Sequence, residues 1–182
     1  ALQRGIEQDR KEVLAIAANP QPPTFANTIE AMDNTGELLD KVQGVFSNLA
    51  GAETNDTLEA VSRQVAPLMS ALRDDRVLNP QLFARVKAVW EKRNSLGLNA
   101  EQIRLIDETY KAFVRGGANL DDAGKARLRK INTELSTLSV RFSQNLLKET
   151  NAYKLVIDKK EDLAGLPEGM VAASADAAKR AG

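Results

Sequence analysis

Residues Asp121 to Thr150 read DDAGKARLRKINTELSTLSVRFSQNLLKET, thirty positions without a proline. Leu128, Ile131, Leu135, Leu138, Phe142 and Leu146 recur in it at steps of three and four. That spacing is the apolar seam of an α-helix, and it predicts that this face is buried. At 1.5 Å per residue the helix is a rod of roughly 45 Å. Asp121 is placed as its N-cap, and Asp121 and Asp122 set negative charge at the positive end of the helix dipole. Beside the seam runs a strip of small residues, Ser136, Ser139 and Ser143, flanked by Thr133, Thr137 and Val140. It either admits a second helix at close range or forms a half-exposed polar face.

Outward from the rod toward the C-terminus, Tyr153-Lys154-Leu155-Val156-Ile157-Asp158 shifts the period to two. It is either one short strand in want of a partner or an extended segment lying on helices. Pro167 to Arg180 reads as a last, alanine-rich helix. Toward the N-terminus, helix patterns come in sequence with their own start and stop signals. Ile6–Ala18 ends at Asn19-Pro20-Gln21-Pro22-Pro23, where prolines cannot continue a helix. Asn27 caps the next helix with Glu30 reaching back, and Gly36 bends or divides the run from Ile29 to Leu49. Asn55 or Asp56 starts a helix reaching about Arg76, with a kink or early break expected at Pro67. Asn79-Pro80 is a cap followed by proline at the first helical position, and Leu78 and Phe83 are spaced as a hydrophobic staple. Asn99 to Gln102 is a further capping box, with Leu98 and Ile103 as its staple, and that helix closes at Gly116-Gly117. The fold class is therefore all-α: a multi-helix bundle with one long helix at about 121–150 and at most one short strand at about 153–158. Residues 1–182 form a single helical region.

Composition narrows function mainly by exclusion. The 182 residues are 43% hydrophobic and 27% charged, which suits a globular chain with a core. Twenty-five basic and twenty-five acidic residues cancel, an argument against nucleic-acid or membrane partners. No apolar run approaches a membrane span. The sequence has no cysteine and no histidine, so thiolate metal sites, Ser/His/Asp triads and the H-E-x-x-H helix are excluded within it. Its first residues, Ala1-Leu2-Gln3-Arg4, read as an internal start of a processed or truncated product.

Gly117 to Lys125 imitates a phosphate loop, but the spacing is too long and Ala126 stands where Ser or Thr is required. The adjacent pairs Asp74-Asp75, Asp121-Asp122 and Glu161-Asp162 point about 100° apart on a helix, and capping or solvated turns account for them. Lys125, Arg127, Arg129 and Lys130 read as a solvated face balanced by Asp121, Asp122 and Glu134. Trp90 and Tyr110 lie on apolar faces and read as core. The sequence thus supplies no catalytic residue and no metal ligand, and its substrate-binding residues are unknown.

Several strings, in order, carry a resemblance. They are Pro23-Thr24-Phe25-Ala26-Asn27-Thr28-Ile29-Glu30-Ala31, Gly36-Glu37-Leu38-Leu39, Val45-Phe46 and Thr54-Asn55-Asp56. Leu82-Phe83-Ala84-Arg85-Val86, Ser95-Leu96-Gly97-Leu98, Leu135-Ser136-Thr137-Leu138, Phe142 to Leu147 and Leu163-Ala164-Gly165-Leu166-Pro167 continue the set. Together the chain resembles the N-terminal region of the M3 zinc metallopeptidases, within them the bacterial peptidyl-dipeptidases (dipeptidyl carboxypeptidases). The resemblance implies a two-lobed helical enzyme whose zinc is held in a C-terminal catalytic part by an H-E-x-x-H helix and a downstream glutamate. None of those positions lies in this chain, so zinc is implied for the parent and no cofactor for these residues. The implied role is part of a lobe and channel wall that limits substrates to short peptides, in an enzyme releasing dipeptides from peptide C-termini. An oligopeptidase A-like endopeptidase region is the alternative within the family, and a free-standing helical interaction module the alternative outside it. The implied partners are the missing catalytic part of the same polypeptide and peptide substrates, with self-association of the exposed faces. This part alone is expected to be inactive. A cytoplasmic location is implied, with the periplasm as the alternative.

Overall fold

The computed structural model describes residues 1–181. Among them every regular element is helical and no strand forms. The helices are α1 (Leu2–Ala17), a π-helical turn (Phe25–Glu30) running into the short α2 (Ala31–Asp33), α3 (Glu37–Ala52), α4 (Asp56–Val77), α5 (Pro80–Lys92), α6 (Ala100–Arg115), α7 (Asp122–Ala152) and α8 (Glu168–Ala181). The expected all-α architecture with its one long helix is what the chain adopts. By compactness it divides into two units, Ala1–Gln144 and the residues from Asn145 onward.

In the first unit α1 packs against α3, α4 and α5, and α5 packs against α6. The main core gathers Val13 and Ile16 of α1, Ile29 of the π-helical turn, Leu82 and Val86 of α5 and Ile106 of α6. A smaller cluster joins Ile6, Leu39 and Leu72 of α1, α3 and α4. The α1–α3 contact is close because residue 5 is glycine: a Cβ there would stand 2.9 Å from the Leu39 Cα.

Four of the expected starts are built as read. Asn55 Oδ1 accepts the Leu58 N–H, Asn79 Oδ1 accepts those of Gln81 and Leu82 ahead of Pro80 at the first helical turn, Asn99 and Gln102 form a reciprocal box, and Asp121 Oδ1 accepts the Gly124 N–H. The fifth is corrected. The N-cap before the π-helical turn is Thr24, not Asn27. Thr24 Oγ1 accepts the Asn27 N–H at 3.1 Å, and the Asn27 side chain reaches back to the Thr24 N–H at 2.8 Å. Pro22 and Pro23 hold the chain extended up to Thr24, whose φ of −127° and ψ of 167° suit a cap, so the helix begins one turn earlier than Asn27 implies. Gly36 does divide the following run: its φ of +82° is left-handed and turns the chain into α3. At Pro67 no break occurs, and α4 continues on both sides of it.

One further expectation is overturned. The seam of α7 is not buried: Ile131, Leu135, Leu138 and Phe142 are 42%, 54%, 47% and 69% exposed. Leu128, the first residue of the seam, is half-buried, and beyond it the half-buried positions of that helix are Arg129, Asn132, Ser136, Val140 and Gln144. At about 100° per residue these lie roughly 150° round the helix from the seam. Of the small-residue strip, Ser136 and Val140 therefore turn inward while Ser139 and Ser143 are exposed, and the seam from Ile131 onward faces out.

In the second unit, Tyr153 to Ile157 forms no strand. The segment is extended and mostly exposed, with Tyr153, Leu155 and Val156 each more than 70% exposed. Alternation of period two marks the backbone as extended, but a ladder needs a second strand and none forms among the described residues. A short 3₁₀ turn, Lys160–Leu163, precedes α8.

Candidate functional site

Two surfaces of the first unit hold the chain's charged and apolar groups in unusual arrangements. One is the contact of α1, α4 and α7; the other is the outward seam of α7.

At the first, α4 carries four consecutive charged residues near its end, Arg73 to Arg76, and the last three reach other elements. Asp74 is buried, and its Oδ1 accepts a hydrogen bond from Asn132 Nδ2 at 2.7 Å. Asp75 bridges two arginines, Arg10 of α1 at 3.0 Å and Arg129 of α7 at 2.8 Å. Arg76 reaches the other way, to the buried Asp9 Oδ1 and to Thr35 Oγ1, each at 2.6 Å. Successive side chains on a helix diverge by about 100°, so a run of three charges serves three different partners. Asp74-Asp75 is thus neither a cap nor a solvated turn, as expected from sequence, but the point that ties α7 to α4. Arg129, read as balanced by acids of its own helix, is paired across elements. Farther along, Gln144 Nε2 donates to the Glu59 carbonyl and Arg63 donates to Gln144 Oε1. These carboxylates are occupied by cations and amides at hydrogen-bond distance, a structural arrangement with no free acid/base pair.

Glu12 supports the same corner. Its Oε2 accepts the Gly36 N–H at 2.9 Å and its Oε1 accepts Gln8 Nε2 at 2.8 Å. Those hydrogen bonds, with Arg76 nearby, hold its carboxyl below the ordinary glutamate value of 4.5.

Arg85 is a residue that the sequence reading passed over. It is buried on α5 between the apolar Leu82, Val86 and Val89. Its Nη1 donates to the carbonyls of Asn19 and Gln21, and its Nη2 to Asn27 Oδ1 at 2.9 Å. One guanidinium thereby fastens the proline-rich connection and the π-helical turn to the core, and burial holds its pKa below the usual arginine range. The available signal was a charge standing inside an apolar stripe. The aromatic residues behave as read: Trp90 stacks on Tyr110 with centroids 4.1 Å apart, and its Nε1 donates to Asp107. Arg93 lies over the indole at 4.4 Å, with its Nε 2.8 Å from Asp107, close enough for an ion pair though not aligned as a hydrogen bond.

The second surface is apolar at its centre and charged at one edge. A shallow open depression beside the seam is lined by Lys130, Glu134, Thr137, Leu138 and Arg141 among others. Ser136 and Thr137 turn their hydroxyls back to the Thr133 carbonyl and do not offer them outward.

Compared with known proteins, the chain matches no family model. It is 44% identical over all 182 residues to the dipeptidyl carboxypeptidase of Escherichia coli K12, and 41% identical over the same span to that of Salmonella typhimurium LT2. Over its whole length the chain is thus similar to these two dipeptidyl carboxypeptidases. It spans 27% of the length of each of these two relatives, over their N-terminal region. A more distant likeness, 27% over 156 residues, is to the organellar oligopeptidase A of Arabidopsis thaliana, covering 86% of this chain and 20% of that protein.

Three of the strings that carry the resemblance build special backbone or buried polar contacts. Pro23 to Ala31 makes the cap and the π-helical turn, Gly36 to Leu39 the left-handed turn and the close α1–α3 contact, and Leu82 to Val86 the setting of Arg85. Zinc does not fit the donors present. With no histidine or cysteine in the sequence, and no group of three or more candidate ligands among the described residues, nothing here resembles a zinc shell. No helix among the described residues is long and apolar enough to cross a membrane.

Proposed function

We propose that this chain is the N-terminal helical part of a zinc peptidase that releases dipeptides from the C-termini of short peptides. In this reading its helices build part of a lobe and of the channel wall that keeps folded proteins from the active centre. The metal and the groups that activate water belong to polypeptide beyond these residues, and the enzyme works in the cytoplasm. The observation that carries the reading is the 44% identity, unbroken over the chain, to a protein named for dipeptide release from carboxyl ends. The weaker identity to oligopeptidase A relatives, 23% for the Escherichia coli protein, favours the exopeptidase over the endopeptidase alternative. The donor set supports placing the chemistry elsewhere, since an H-E-x-x-H helix needs two histidines and this sequence has none.

The test compares the 182-residue chain with the full-length protein, each given zinc and a blocked peptide with a free C-terminus. Stepwise loss of dipeptides is expected from the full-length protein and none from the chain alone. Amidating the peptide C-terminus should suppress the reaction; internal cleavage that ignores the amide would favour the endopeptidase. Peptide hydrolysis by the purified chain alone would overturn the proposal.

A further inference from the structure

The outward seam of α7 has three properties that together specify an occupant. First, Ile131, Leu135, Leu138 and Phe142 are all more than 40% exposed although they fall on a single stripe. Second, their spacing of four, three and four averages about 3.7, close to the 3.6 residues of a helical turn, so the stripe runs nearly straight along one face and suits another helix laid beside it; an extended strand, with its period of two, would not keep register with it. Third, one edge of the stripe is basic. Lys130 and Arg141 line the adjoining depression, and neither makes an ion pair among the described residues, while Glu134 is the single acid beside them. The inward side of the same helix is already satisfied by Asp74, Asp75 and the Glu59 carbonyl, so the seam is a separate, second face.

We infer that the seam seats an amphipathic helix with an apolar stripe and an acidic flank, supplied by the same polypeptide beyond the residues described here. The inference rests on the proposed function, under which this chain is part of a longer peptidase; the matched relatives are nearly four times its length. A second copy is a poorer occupant. Two seams laid antiparallel bring the same edge against itself, so that Lys130 of one meets the region of Arg141 of the other, and like charges at such flanks oppose pairing. An acidic flank would instead neutralise both cations while the stripe covers the leucines.

The experiment uses the full-length protein with a photoreactive benzoylphenylalanine in place of Leu135, and in parallel the Leu138→Cys variant probed with an alkylating reagent before and after unfolding. Both positions are exposed in this chain, so neither change disturbs its core. A crosslink mapped to a downstream helix bearing Asp or Glu beside its stripe is expected, with alkylation at position 138 at least tenfold slower in the native protein. The double variant Lys130→Glu, Arg141→Glu should raise that native rate toward the unfolded one. A crosslink to a second copy or to a segment without an acidic flank, or no crosslink together with unhindered alkylation, overturns the inference. Dipeptide release assayed on the same preparation separates the two readings. Activity with an open seam removes only the inference; a covered seam without peptidase activity removes only the function.

Discussion

Arg85 concentrates three long-range hydrogen bonds on one side chain. Its three donors satisfy two carbonyls of a loop that cannot form helix and one side-chain oxygen of the π-helical turn. Arg85→Met keeps the length and the apolar contact but takes the donor from the Asn19 and Gln21 carbonyls, while Asn27 Oδ1 keeps the Thr24 N–H and the Thr28 hydroxyl. A loss of about 3 kcal/mol is expected, since hydrogen bonds to a charged group and orphaned buried acceptors each contribute about 1–3 kcal/mol. Urea unfolding followed by circular dichroism measures it, and an unchanged midpoint would refute it. Glu12 gives a prediction of the opposite kind, in pH. Its carboxyl sits below 4.5 in the folded chain because Gly36 and Gln8 donate to the charged form. A depressed folded value contributes stability that is present above the unfolded value and fades as pH falls through the folded one. The wild-type chain should therefore lose stability on acidification below 4.5, and Glu12→Gln should flatten that part of the profile while starting from a lower plateau. Equal acid slopes for the two proteins would count against this account.

At the scale of elements the close crossing of α1 and α3 is the most exposed to a single change. Gly5→Ala gains helix propensity of about 1 kcal/mol, but its Cβ meets backbone at Leu39, which cannot swing aside. Separation of the helices should dominate, for a net loss of about 1–2 kcal/mol, read as a lower urea midpoint with faster amide exchange in both helices. The α4–α7 contact rests on polar groups, so Asp74→Leu should release α7 selectively. Exchange should rise along Asp122–Gln144 while α5 and α6 stay protected; uniform loss of protection would contradict it. These elements also mark where sequence reading succeeds and stops. Caps at Asn55, Asn79 and Asn99 were legible because the donors they satisfy lie within three residues. Thr24 was missed because an asparagine at the third position can act as cap or as the returning arm of the box, and the preceding prolines decide. For α7 the periodicity named a stripe correctly but could not say what covers it. The inward face is polar, and only long-range partners such as Asp74 and Asp75, more than fifty residues away, reveal it.

At the scale of the whole chain, the exclusion of histidine- and cysteine-dependent sites was legible in composition, because a missing residue type needs no geometry to exclude the sites that require it. The seam sets the solution behaviour expected of the 182 residues by themselves. Four half-exposed apolar side chains leave on the order of 4 kcal/mol of burial unrealised at about 25 cal/mol per Å². Weak, concentration-dependent self-association should follow, and Leu135→Asp with Phe142→Asp should reduce it in sedimentation without lowering the urea midpoint. A species that stays monomeric at every concentration would argue against that. The single tryptophan has its own bearing on such measurements, because Trp90 is clasped between Tyr110 and Arg93, on the side of α5 that meets α6. Its emission follows the opening of that one junction. A chain whose long helix had already come adrift would still glow like the native molecule, so optical melting alone would report a sturdier protein than the one in the cuvette.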